Sequence, residues 1–320
     1  MTRLRRPVLR WGIRLAVVAV LSIVLLRVGA GPFVQGLRGV SGVAVVVALG
    51  VTAAATVLSA WRWTLVSGAL GTSMPLGTAV SSYYRSQLLN SVLPGGVTGD
   101  VERGLRSTAD PGRRRLQGMR VVAWDRAAAQ AAQLVLLAAV LLVSDGPLRV
   151  VGGLLALLLG ALVAGSLLVR HRVAGVPAGR VRRTGAAIRD DLARIAERPA
   201  TLLAVIGASV LVTLLHASVF VLAASITGAS LDAVRLLPLA LAVQAAMAIP
   251  VGFGGLGPRE GMAAVLFAQA GVGASQGVAA AIAYGVLAMI AVLPGVVPLI
   301  RSWVRPAADR RIRPRSKAAR

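Results

Sequence analysis

The sequence predicts an all-α fold: a polytopic transmembrane helical bundle with two inverted re-entrant hairpins. Three observations predict it. Of 320 residues, 57% are hydrophobic and only 14% charged, and mean hydropathy is +0.78, a balance that belongs to membrane proteins rather than soluble globules. The apolar residues come in long runs, with the basic residues mostly in the gaps between them. Two of those runs are broken by proline and glycine, with charges at the break.

The chain is organised around Pro250-Val-Gly-Phe-Gly-Gly-Leu-Gly-Pro-Arg-Glu-Gly261, which separates the apolar runs 236–249 and 262–272. Two prolines and five glycines in these twelve residues cannot continue a helix, because proline removes a donor and glycine costs backbone entropy. Broken backbone at membrane depth is tolerated only where it is buried in protein or lines a wet cavity. Arg259 and Glu260 sit in this break, and each costs about 2.5–3.5 kcal/mol at a helix centre. A bound polar ligand or a partner charge has to offset that.

Residues 1–10 carry Arg3, Arg5, Arg6 and Arg10 and form a basic cytoplasmic N-terminus. Trp11 to Val28 is too long for a signal-peptide core and shows no clear small-residue cleavage site, so it reads as a first span. Val40 to Ala60 returns to the cytoplasmic side and ends at Trp61-Arg62-Trp63, an interfacial aromatic and basic anchor. Met74 to Val92 is long enough to enter the membrane but holds Tyr83, Tyr84, Arg85, Gln87 and Asn90. It runs into Pro94, Gly95 and Gly96, then Gly99, Asp100 and Arg103. Trp61 and the basic loop 106–120 both belong on the cytoplasmic side, so the segment between them dips in and returns as a hairpin, 74–103.

Val121 to Val143 crosses outward, with Asp125 and Arg126 one turn inside its start and Gln130 and Gln133 further along. Leu148 to Val169 crosses back, and Gly152, Ala156, Gly160 and Ala164 form a small-residue stripe for helix packing. In the basic cytoplasmic loop 170–199, Ile188, Leu192 and Ile195 share a helical face suited to the anionic inner leaflet. Pro199 opens the span Ala200 to Ala224. The second hairpin, 236–272, enters from outside, and Gln276 to Ile300 then delivers the basic tail 301–320 to the cytoplasm. The expectation is one transmembrane domain, 11–300, in the cytoplasmic (inner) membrane, with six full spans, two hairpins and both termini cytoplasmic.

The hairpins resemble each other. Ser73 precedes Pro94 by about the same distance as Ser230 precedes Pro250, and each glycine-rich break ends in an acid near an arginine. Inverted repeats with broken helices meeting near the midplane are a recurring plan of membrane transporters.

A formal charge of +24 would suggest nucleic acid in a soluble protein, but no aromatic-rich basic module accompanies the arginines. The positive-inside rule and attraction to anionic lipid account for it. Cysteine is absent, which excludes disulfides and thiolate metal sites. His171 lies in a basic loop and His216 is alone in a span, so no metal set forms. No serine elbow, phosphate-binding loop or paired acids stand out, and neither an enzyme nor a cofactor is expected. Broken helices expose backbone N–H groups that suit an anion, and Arg103 and Arg259 add charge that suits phosphate. Asp100 and Glu260 hold those arginines, bind a cationic headgroup or relay protons, unless they merely staple each hairpin. Arg85, Asn90, Asp125 and Arg126 complete the candidate headgroup-binding set, with Pro94, Gly95, Gly96, Gly99, Pro250, Gly254, Gly255 and Gly257 as the breaks.

At Asn90-Ser-Val-Leu-Pro-Gly-Gly with Gly99, Asp100 and Arg103, at Asp125-Arg126, and at 250–261 with Glu260, the sequence resembles the flippase-like family of the lysylphosphatidylglycerol synthase transmembrane region. The family usually has glutamate where this chain has Asp125, and Gly-Gly-Asp where it has Thr98-Gly99-Asp100. The resemblance implies movement of a polar lipid, phosphate-bearing or aminoacylated, between leaflets. No synthase domain follows Ile300, so synthesis of the aminoacylated lipid is not expected. The expected partners are a membrane phospholipid or lipid-linked substrate, the anionic inner leaflet and a lipid- or glycan-synthesising enzyme, but not nucleic acid. A lipid-modifying enzyme and a non-transporting scaffold are the alternatives.

Overall fold

The computed structural model describes residues 31–93, 96–107, 113–144, 147–172, 180–248 and 255–304. The expected first span, 11–28, and the basic ends of the chain lie outside them, as do Pro94, Gly95, Pro250 and Gly254 of the two breaks.

Every regular element among the described residues is helical. α1 (Gly31–Arg38) precedes α2 (Gly42–Ala69), whose first turn is capped by the Ser41 hydroxyl accepting from the Ala44 amide at 3.2 Å. α3 (Leu76–Val92) and α4 (Thr98–Arg106) form a packed pair across the first break. α5 (Arg113–Leu142) and α6 (Pro147–Arg172) follow. α7 (Arg180–Ala196) is short and basic, and α8 (Pro199–Ile226) starts on a proline. α9 (Ala233–Met247) and α10 (Pro258–Gln269) make the second packed pair. α11 (Ala274–Val292) then continues through a 3₁₀ turn, Leu293–Gly295, into α12 (Val296–Val304).

Among the described residues four helices are long and apolar enough to cross a membrane: Gly42–Ala69, Leu116–Leu142, Pro199–Ile226 and Ala274–Arg301. They match four of the expected spans. The fifth expected within the described residues, 148–169, is α6, whose apolar part at Arg149–Leu162 is shorter than the other four. Within that helix the small-residue stripe is used at Gly152, where an added Cβ would lie 2.7 Å from the Leu142 amide, while Gly160 faces open space. Val46, Leu157 and Leu203 are exposed on the outside of the bundle, as expected of a surface that meets lipid tails rather than water.

The first correction concerns α2. The sequence reading ends this span at Ala60 and makes Trp61-Arg62-Trp63 an interfacial anchor. The helix instead runs on to Ala69, with Arg62 only 3% and Trp63 1% exposed. Arginine is buried there because an acid meets it, as described below.

Two apolar cores fill the bundle. One surrounds Phe220, Phe267, Leu241 and Tyr284, where α8, α9, α10 and α11 converge. The other surrounds Trp63, Tyr83, Val121, Ile195 and Val205, where α2, α3, α5, α7 and α8 meet. Side-chain bonds mark the two ends of the bundle. At one end Gln117 of α5 donates to the Leu70 carbonyl at 2.8 Å, and Arg120 pairs with Asp191 of α7. At the other, Gln35 and Gln276 both donate to the Thr227 carbonyl, at 3.0 and 2.6 Å. The α3–α4 pair begins and ends by short links at the first of these ends, and the α9–α10 pair at the second.

Candidate functional site

Asp125 is the hub of the first unit. It sits on α5, is 0% exposed, and receives three donors. Arg62 Nε of α2 donates at 2.9 Å, Arg103 Nη2 of α4 at 3.1 Å, and the Tyr83 hydroxyl of α3 closes the set. Arg62 also reaches Ser209 of α8 at 3.3 Å and the Tyr83 oxygen at 3.4 Å. The Arg103 guanidinium lies 4.0 Å from the Tyr83 ring centroid and 4.6 Å from that of Trp63, within cation–π range of both. Four helices thereby meet at one buried carboxylate, and Arg62 extends the network to α8. An unpaired charge at such a site costs several kcal/mol, so residues distant in sequence had to supply the partners.

Asp100, in the first turn of α4, is the second node. It accepts from Ser86 at 3.0 Å, Asn90 at 3.1 Å and Arg103 at 3.2 Å, and it pairs with Arg126. Asn90 grips the break from both sides, because its carbonyl also accepts the Gly99 amide at 2.7 Å. Gly99 lies so close to the Ser86 backbone that a Cβ there would overlap the Ser86 carbonyl oxygen. Nearer the surface Arg85 pairs with Glu102, which Arg106 shares.

The second unit is simpler. Glu260, 0% exposed, accepts from Arg259 Nε at 2.9 Å and Nη2 at 2.5 Å, and its other oxygen accepts the Gly257 amide at 2.7 Å. The acid therefore caps the start of α10 and neutralises its neighbour at once. Gly255 and Gly257 hold φ of +84° and +97°, values that side chains with a Cβ rarely adopt. Arg259 stacks 5.8 Å from the Tyr284 centroid, in the space left by Gly285 of α11.

α11 relates the depths of the two units. It packs Gly285 on Arg259, and beyond its end Gly295 lies on the Tyr84 backbone and the Leu88 Cβ of α3. α3 and α11 run in opposite directions. From Gly295 to Gly285 is about 15 Å along the helix, and from Tyr84 to Val92 about 12 Å. The C-terminal end of α3 and the start of α10 thus lie within about a turn of the same depth.

Of the predicted set, the structure gathers Asn90, Asp100, Arg103, Asp125 and Arg126 into one network and pairs Arg259 with Glu260 separately. Arg85 pairs with Glu102. Gly96, with a φ of +61°, lies between α3 and α4, and Gly255 and Gly257 lie just before α10. Sequence reasoning misses Arg62, Tyr83, Ser86, Glu102 and Ser209 as site residues. For Arg62 the signal was present: a charge within an apolar helix that has no reason to stop at Ala60. Among the described residues no three histidine, aspartate or glutamate side chains converge as metal ligands.

Spanning helices, an apolar exterior and ion pairs sequestered inside define a multi-pass α-helical membrane protein. Within that class the chain belongs to the family of the lysylphosphatidylglycerol synthase transmembrane region, whose model matches residues 11–295. No curated protein sequence matches it.

Proposed function

We propose that this protein is a flippase, which moves a polar lipid, phosphate-bearing or aminoacylated, between the leaflets of the cytoplasmic membrane without altering it chemically. In this reading both termini are cytoplasmic, and the α3–α4 and α9–α10 pairs are re-entrant hairpins of an inverted repeat. The observation that carries it is the network around Asp125, in which a broken helix pair is tied by buried charges to three helices of spanning length. Charge held at such depth is costly and in membrane proteins marks substrate pathways.

Unused polar groups support the same reading. Gln133 of α5 and Gln244 of α9, helices that pack together, each keep a buried amide nitrogen with no hydrogen-bond partner among the described residues. So do Nε and Nη1 of Arg103. Buried donors are normally satisfied, and a passing headgroup supplies acceptors. Gly261, one residue past the Arg259–Glu260 pair, faces open space.

The test uses liposomes that hold the purified protein and a fluorescent phospholipid in both leaflets, with an impermeant quencher outside. The reading expects quenching to proceed from the outer-leaflet pool to the whole, and to stay at the outer pool with Arg259→Ala or Glu260→Gln. A folded wild-type protein that moves no anionic, aminoacylated or isoprenoid-phosphate lipid would sink it.

A further inference from the structure

The two units differ in charge, and the difference bears on which lipid they take. At the second, Arg259 and Glu260 cancel, one cation against one anion. At the first, among the described residues, Arg62, Arg103 and Arg126 face Asp100 and Asp125, three cations against two anions. Beside them Arg85 and Arg106 share the single acid Glu102. The network around Asp125 therefore keeps one formal positive charge over, together with the unfilled donors Nε and Nη1 of the buried Arg103.

The excess of the Asp125 network reaches the surface at Arg126. The Arg126 side chain is 50% exposed, although its Asp100 partner is buried. Arg126 lies about 15 Å along the apolar helix Leu116–Leu142, measured from its start. Asp100 ties Arg126 to α4, which exposes apolar residues beside the charged Arg106. Val97, Val101 and Leu105, spaced four residues apart along α4 and its N-cap, are exposed, and α4 packs directly on α5. At that crossing a Cβ on Gly104 would meet the Met119 sulfur at 2.6 Å. An arginine at the edge of an apolar face is the arrangement that takes a headgroup phosphate while the acyl chains lie along the valines and the leucine.

We infer that the first unit is a lateral entry site for a lipid whose headgroup is a net anion through its phosphate, with Arg126 as the outermost contact and the Arg103 donors behind it. The inference rests on the flippase reading and narrows it: the substrate is an anionic phospholipid or lipid phosphate, not an aminoacylated one. An added ammonium on the headgroup cancels the charge that the network's surplus selects. The second unit, already neutral, contributes depth and backbone geometry rather than selection.

The test is binding, read apart from transport. Purified full-length protein in neutral detergent is titrated with short-chain phosphatidylglycerol, lysyl-phosphatidylglycerol, phosphatidylcholine and inorganic phosphate, with native mass spectrometry as the readout. Phosphatidylglycerol is expected to bind about tenfold or more tightly than the other lipids, and Arg126→Gln to remove that margin. Arg235→Gln, an exposed arginine at the opposite end of the bundle, should leave it unchanged. Equal binding of the lysyl lipid, or an unaltered preference in a folded Arg126→Gln protein, would overturn the assignment. Inorganic phosphate that binds as tightly as the lipid would overturn the lipid source in favour of a free-anion site. Selective binding with no leaflet movement would refute the flippase reading alone, and leaflet movement with no preference would refute this one alone.

Discussion

At the residue scale the fold turns on Asp125. Its partners Arg62 and Arg103 are themselves buried and have few other acceptors, so losing the carboxylate leaves two guanidiniums exposed to a low-dielectric interior. Asp125→Ala is expected to destabilise the protein by about 3–5 kcal/mol, visible as a large drop in the thermal midpoint in detergent. Arg126→Gln removes a half-exposed charge and should cost about 1 kcal/mol or less, so the two neighbours on α5 separate stability from binding. A midpoint unchanged by Asp125→Ala would show that the network does not hold the bundle. Glycines make a second contrast. Gly99→Ala drives a methyl into the Ser86 carbonyl and should expel α4 from α3, whereas Gly261 has nothing nearby. There an alanine should stabilise α10 by up to about 1 kcal/mol, unless the open space is needed by substrate, when lipid movement falls while stability rises.

At the element scale each broken pair has its own fastener, and the fasteners predict different dynamics. The α3–α4 pair depends on Asn90, which bonds both the Gly99 amide and Asp100. Asn90→Ala leaves the Gly99 amide unsatisfied at a cost of about 1–3 kcal/mol, while Asp100 keeps Ser86, Arg103 and Arg126, and hydrogen exchange should quicken in α4 while α10 keeps its protection. α7 is held by Asp191, which takes Arg120 Nη2 at 2.5 Å and Trp124 Nε1 at 2.9 Å. Ile195 is buried on the same side, but Ile188 and Leu192 remain exposed. The face expected from the sequence to lie on a membrane surface is thus divided between packing and exposure. Asp191→Asn should loosen α7 and make cleavage by trypsin after Arg189 and Arg194 faster. Unchanged cleavage would mean that α7 is held by its apolar contacts alone.

At the scale of the whole molecule, the parts that were legible are those set by local chemistry. Proline and glycine announce breaks because they cannot continue a helix, and uninterrupted valine, leucine and alanine announce helices of spanning length. Among the described residues α3 and α4, and likewise α9 and α10, are separate helices on either side of such stretches. What was not legible is pairing across distance. Arg62 and Asp125 are 63 residues apart, and although the unbroken helix around Arg62 argues against an anchor, nothing near it names Asp125 as its partner. Glu102 was overlooked because its value as a partner depends on α4 folding back beside Arg85. The shared depth of the two units follows from α11 serving both, a relation that no single segment contains.

The central claim is that the two breaks open onto one path for a lipid headgroup. The chain contains no cysteine, so a pair introduced at Ser91 and Gly261 reports on that path without background. Both positions are partly buried, near the end of α3 and the start of α10. The most direct measurement is lipid movement in liposomes before and after the Ser91→Cys/Gly261→Cys protein is treated with a short bismaleimide. The account predicts that the two cysteines are bridged and that the movement measured before treatment stops. Movement that persists with the bridge in place would contradict it. So would two cysteines that each take a monofunctional maleimide yet cannot be joined.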